Sequence, residues 1–104
     1  MSQSYLLRKA LTTAETMLLP ASSASYFFRS IYISNAHSAA ITVTLAVTSS
    51  RSFAAVGDYI VYEVSIAIQE YLLFPSLLVP VGHQLRGYSN HDLMGSLVAF
   101  GVME

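Results

Sequence analysis

Ile41-Thr42-Val43-Thr44-Leu45-Ala46-Val47-Thr48 alternates aliphatic residues with threonine and alanine, the two-residue period of a β-strand. This pattern sends Ile41, Val43, Leu45 and Val47 into a core and Thr42, Thr44 and Thr48 toward solvent. Upstream, Tyr26 to Ser34 is rich in aromatic and β-branched residues. Straight alternation places Phe27, Ile31 and Ile33 on one face and Tyr26, Phe28 and Tyr32 on the other, so both faces are expected to be covered. Asn35-Ala36-His37-Ser38-Ala39 between the two runs is polar, small and of hairpin length. The two runs are therefore expected to pair as an antiparallel hairpin.

Downstream, Ile60, Tyr62, Val64, Ile66 and Ile68 alternate with Val61, Glu63, Ser65, Ala67 and Gln69, giving one long strand or a bent pair. Tyr71 to Phe74 and Leu77 to Val79 are separated by Pro75 and closed by Pro80, which confines each piece to a sheet margin or strand end. Gln84 to Ser89 follows the turn Pro80-Val81-Gly82-His83, and Ser96 to Met103 alternates again. Tyr5 to Leu11 and Glu15 to Leu19 supply the first strands, with loops expected over Ser22 to Ser25 and Thr48 to Ser52. The count is seven or eight short strands, the spacing of an all-β, single antiparallel β-sandwich of jelly-roll-like type. A helix competes at the N-terminus, where Leu6, Leu7, Ala10, Leu11 and Ala14 approximate a 3–4 spacing that Thr12, Thr13 and Thr16 disfavour. Residues 1–11 are thus an arm or an edge strand and residues 12–104 the sandwich domain.

With 104 residues the chain is sized for one domain. Hydrophobic residues make up 54% of it and charged ones only 11%, too few to coat a small monomer, so part of the surface is expected to be covered by other subunits. The five cations are scattered and the net charge is -1, which gives no field to gather nucleic acid or an anionic membrane. Arg8 and Lys9 follow the N-terminal apolar residues, the reverse of a secretory signal, and the apolar run Tyr71 to Val81 is interrupted and short of the ~20 residues of a membrane helix. No membrane partner is expected.

The absence of cysteine removes disulfides, thiolate metal sites and cysteine nucleophiles. His83, His91 and Asp92 fall in turns without the spacing of a metal site, and no metal or cofactor is expected. The serines lack a nucleophile elbow, and Glu63 and Glu70, at odd spacing, diverge from a shared cleft. No catalytic residue is assigned and the chain is expected not to be an enzyme. Glu63 is read as a solvated residue or half of an inter-subunit ion pair with Arg29, Arg51 or Arg86. Tyr26, Phe28 and Tyr32 fit core or subunit packing better than a carbohydrate platform, which needs polar readers beside the rings.

The succession Thr16-Met17-Leu18-Leu19-Pro20, Phe28-Arg29-Ser30-Ile31-Tyr32-Ile33-Ser34-Asn35 and Ala40-Ile41-Thr42-Val43-Thr44-Leu45 resembles a small β-sandwich module of tailed-bacteriophage virion proteins. Val64 to Ile68, Gln84-Leu85-Arg86-Gly87-Tyr88-Ser89 and the closing Gly101-Val102 continue the likeness across residues 12–103. It departs at Tyr71 to Pro80, where the module usually has one short polar turn. The resemblance implies a structural virion protein assembled in the host cytoplasm. Capsid cement or decoration is the leading role, with tail or baseplate accessory, or a carbohydrate-binding sandwich, as alternatives. The implied partners are copies of itself, with a trimer the expected state, and the major capsid protein or other virion subunits. The interface candidates are Tyr5, Leu6, Leu7 and Leu11, apolar and outside the resembling region, together with Tyr26, Phe28 and Tyr32. Deleting Met1 to Ala10 is expected to spare the fold if the segment is an anchor and to expose core if it is an edge strand.

Overall fold

Ile41, Val43 and Leu45 are fully buried, as their alternation requires, at the centre of a two-layer β-sandwich. A computed structural model describes residues 3–49 and 58–104. Nine strands are formed among them: β1 Gln3–Leu11, β2 Thr16–Leu19, β3 Tyr26–Asn35, β4 Ile41–Thr48, β5 Tyr59–Ile66, β6 Tyr71–Phe74, β7 Leu77–Val79, β8 Gln84–Ser89 and β9 Gly95–Met103. One sheet has the order β1-β9-β3-β6, with β7 also on β3, and the other the order β2-β8-β4-β5. Every pairing is antiparallel. The inner sides of the two sheets form the core, where Phe28, Ile31, Ile33, Leu97 and Ala99 from the first meet Ile41, Val43, Leu45 and Leu85 from the second, with Val47 only partly buried, and β4 is covered on its other side as well, at Thr44, Ala46 and Thr48.

Four details differ from simple alternation. First, β3 and β4 do not form a hairpin. β3 lies in the five-stranded sheet and β4 in the four-stranded one, so residues 36–40 cross between layers. Asn35 makes the crossing possible. Its buried Nδ2 donates to the carbonyl oxygens of Ala39 (2.9 Å), Ile66 (3.0 Å) and Ala67 (3.2 Å), and its Oδ1 accepts from the His37 amide at 2.7 Å. One side chain thereby ties the crossing segment to the end of β5 and the turn after it.

Second, β3 changes face midway. Against β9, Phe28 pairs with Gly101 and Ser30 with Phe100, which leaves Arg29 as an extra residue in a β-bulge. The parity shift puts Tyr26 and Phe28 on the same inner face as Ile31 and Ile33, and turns Phe27 outward with Tyr32. Across β3 on the other side, residues 29 and 30 face the Pro75-Ser76 break between β6 and β7. Proline sits there at a sheet margin without removing a ladder bond.

Third, Thr44 and Thr48 are buried rather than solvated. The Glu63 amide donates to Thr44 Oγ1 at 2.9 Å. Glu63 has a φ of 48° and stands in a register shift between β4 and β5, where Val64 pairs with Val43 but Val61 with Leu45. This bulge ends the alternation of the fifth strand, so Val61 and Ile66 are buried while Tyr62 and Val64 are exposed. Ile68 lies beyond the strand and is exposed.

Fourth, residues 3–11 are neither a helix nor a free arm. β1 runs along β9 through nine uninterrupted pairs, from Gln3 opposite Met103 to Leu11 opposite Gly95. It is an edge strand of the five-stranded sheet, and it delivers Leu7 and Leu11 into the core. Residues 50–52 of the loop expected after Thr48, and Arg51 as a partner for Glu63, lie outside the described residues.

Candidate functional site: the outer face of the five-stranded sheet

The register of the five-stranded sheet lays its outward side chains in cross-strand rows. Ser4, Val102, Phe27 and Leu78 form one row. Leu6, Phe100 and Ser30 form the next, beside the Arg29 bulge. Arg8, Val98, Tyr32 and Leu73 form the third, and Ala10, Ser96, Ser34 and Tyr71 the fourth. Leu6, Phe27, Tyr32, Tyr71, Leu73, Leu78 and Phe100 of this face are all exposed large hydrophobics. Phe100 is 49% exposed and Tyr71 59%, values that leave half of each ring in water. A contiguous apolar surface of this kind marks a contact region on a folded chain.

The aromatic members touch one another. Tyr32 lies 5.7 Å from Tyr71 and 6.4 Å from Phe100 between ring centroids, the latter edge-on. Beside them a shallow hollow of about 510 Å³ opens where β1, β9 and the β3 bulge meet, lined by Ser4, Tyr5, Leu6, Arg29, Phe100, Gly101 and Val102. The bulge turns Arg29 outward at the rim of this hollow. The strands of this sheet carry no carboxylate; of their cations, Arg8 and Arg29 are on the outer side, whereas Lys9, opposite Leu97 and between Leu7 and Leu11, has the parity of the inner side. The face is therefore apolar with a positive accent.

The four-stranded sheet differs. Its strand cation, Arg86, is consumed within the chain: Nε donates to Glu15 Oε2 at 3.0 Å and Nη1 to Gln84 Oε1 at 3.0 Å, in a half-buried setting that ties β8 to the turn before β2. Arg86 is thus not a partner for Glu63. Glu63, on the edge strand β5, is exposed between Tyr62 and Val64.

The interface candidates from the sequence divide. Leu6 and Tyr32 are on the outer face. Leu7, Leu11, Tyr26 and Phe28 are in the core, removed from any surface by the pairing of β1 and by the Arg29 bulge. Tyr5 is half-buried at 4.9 Å from Tyr26, and burial, followed by the neighbouring Tyr26 phenol, pushes its hydroxyl pKa above the ordinary 10.0. Phe27, Tyr71, Leu73, Leu78 and Phe100 belong to the face and are not among those candidates. The signal for them was the glycine at 101 opposite β3, which permits the bulge, and the two prolines that mark a margin.

The turn residues assemble no reactive centre among the described residues. His83 Nδ1 lies 3.2 Å from the Val81 carbonyl at the start of β8, whereas His91 follows its end, so the two are separated by the length of that strand. His91 instead lies against His37, with ring centroids 4.1 Å apart and the planes tilted by 31°. No group of three or more His, Asp or Glu side chains converges among the described residues. Glu63 and Glu70 share no cleft, one lying in the β5 bulge and the other in the turn leading to β6.

No protein-family model and no curated protein matches the sequence. Among solved structures, the fold is similar to a chain of the acid-stable capsid structure of Helicobacter pylori bacteriophage KHP30. The TM-score is 0.53 at 10% identity, over 99% of this chain and 92% of that one. A chain of the T13 IBDV viral particle aligns at TM-score 0.48 and 9% identity, and there this chain spans 30% of the other's length. The first comparison shows that the sandwich, over its full length, is a fold also present in that capsid.

Proposed function

We propose that this chain is a structural, non-enzymatic protein of a viral particle, a cement or decoration subunit that packs the outer face of its five-stranded sheet against neighbouring subunits of the particle, its own copies among them. The observation that carries the reading is that face, with seven large apolar side chains half exposed on a rigid sheet. The similarity of the whole fold to a chain of a bacteriophage capsid supports it. Burial of such a face returns about 25 cal/mol per Å², of which the surplus over the cost of association becomes affinity. Repetition over a particle multiplies modest contacts. The chain is a homo-oligomer in this role, a trimer, bound to the major capsid protein.

Glycan binding on the same face is the weaker reading, because the polar side chains around Tyr32, namely Ser30, Ser34, Ser96 and Arg8, include no carboxylate or amide to read sugar hydroxyls. Imaging of intact particles by electron cryomicroscopy tests the proposal. Density for the sandwich on the shell, with Tyr32 and Phe100 turned toward a neighbour, is expected. Recovery of the chain only in the particle-free fraction overturns the virion role, and density confined to a tail overturns the cement assignment.

A further inference from the structure

The charges of the two sheets are segregated. Among the described residues, the strands of the five-stranded sheet hold three cations and no anion, and none of the three is in an ion pair. On the strands of the four-stranded sheet the charges are Arg86, which Glu15 neutralises, and Glu63, which is exposed on edge strand β5. Packing two copies through the same face buries Arg29 and Arg8 of both in one apolar contact with no anion on those strands to oppose them. Like charges at low dielectric oppose that arrangement. Placing the cationic face on the β5 margin opposes Arg29 to Glu63 and sets Tyr62 and Val64, both exposed, on the apolar rows.

We infer that the outer face of the five-stranded sheet receives the β5 margin of a second copy of this chain, with Arg29 of one copy opposite Glu63 of the next. Such a contact is heterologous, using two different patches, and builds a ring of three or more copies where its rotation closes, or a filament where it does not, rather than a two-fold dimer. The inference deepens the shell reading and rests on it for the purpose of the ring. The hollow beside Arg29 and Phe100 is the recess into which a side chain of the β5 margin fits.

The lack of any cysteine in the chain makes the test direct. Tyr32→Cys and Tyr62→Cys are prepared singly, and each is checked for a native melt. They are then treated with a short bis-maleimide, alone and as an equal mixture. Covalent dimers are expected from the mixture, with neither variant cross-linking by itself. Homotypic dimers of Tyr32→Cys overturn the proposal in favour of a two-fold face-to-face contact, and absence of dimers from the mixture overturns it outright. Adding Arg29→Glu to the Tyr32→Cys partner is expected to cut the yield at least tenfold, and adding Glu63→Arg to the other partner to restore it. Failure of that rescue removes the Arg29–Glu63 pairing. Finding the chain on particles while the mixture stays uncross-linked sinks this contact alone. Cross-linking as expected by a chain absent from particles sinks the shell role alone.

Discussion

Gly101 lies directly beneath the carbonyl oxygen of Phe27, so close that a β-carbon at 101 would overlap it, and would also come within 2.7 Å of Phe28 Cα. The bulge at Arg29 depends on this approach of β9 to β3, because Gly101 is the partner of Phe28 immediately before the register shifts. The neighbouring atoms are backbone and cannot rotate away.

Gly101→Ala is therefore expected to destabilise the fold by about 1–3 kcal/mol, the usual cost of overpacking a closed site. Thermal denaturation followed by circular dichroism measures it. A melt equal to the parent's would show that β9 can shift from β3 without cost.

Removal of residues 1–10 is expected to lower the melting temperature strongly or abolish folding, since it takes Leu7 out of the core and leaves β9 only Leu11 of its nine-residue partner. This outcome replaces the anchor expectation, which treated Leu7 and Leu11 as exposed. A near-native melt of the truncated chain would restore the anchor.

Asn35→Ala is expected to be among the costliest polar substitutions. It removes the side-chain partner of the Ala39 and Ile66 carbonyls and of the His37 amide, at roughly 1–3 kcal/mol for each group that stays buried and unsatisfied, while the Ala67 carbonyl keeps the Glu70 amide. Urea denaturation compared with Asn90→Ala separates buried from exposed asparagine. Asn90 Oδ1 accepts from the Thr42 amide at an exposed site, where water can replace it.

Tyr5 sets an alkaline limit. Its pKa is raised in the folded chain by burial, so the neutral phenol is the form the fold favours. The associated stability is fully present below the unfolded value near 10.0 and is lost as pH rises through the higher folded value. Tyr5→Phe is expected to flatten the fall in melting temperature above about pH 10, leaving the neutral-pH melt nearly unchanged. An identical alkaline limb in both proteins would contradict this.

The legible part of the fold was what strict alternation carries. Ile41, Val43 and Leu45 declared their burial because no bulge interrupts their inward side, and Pro75 and Pro80 declared a margin because proline cannot donate to a central ladder. Bulges were illegible. One extra residue at Arg29 inverts every later side chain of β3 relative to the earlier ones, which moved Phe27 outward and Tyr26 and Phe28 inward, and nothing in the run Tyr26 to Ser34 itself encodes it. The β5 bulge similarly rests on Glu63 adopting a positive φ that its residue type does not advertise. Asn35 read as an ordinary turn residue because the carbonyls it serves at Ile66 and Ala67 are some thirty positions away along the chain. Of the contact face, Leu6 and Tyr32 were visible from the sequence, but the rows joining them to Phe100 and Leu73 exist only through pairing of distant strands.

Hydroxyl-radical footprinting of the assembled protein, read by mass spectrometry, tests most directly whether the outer face of the five-stranded sheet is the assembly surface. Oxidation of Leu6, Tyr32 and Phe100 is expected to fall severalfold between dilute and assembled protein, while Met17, 48% exposed on β2 at the far edge of the other sheet, continues to react. Unchanged oxidation at Tyr32 and Phe100 in the assembly, with protection elsewhere, would contradict the account.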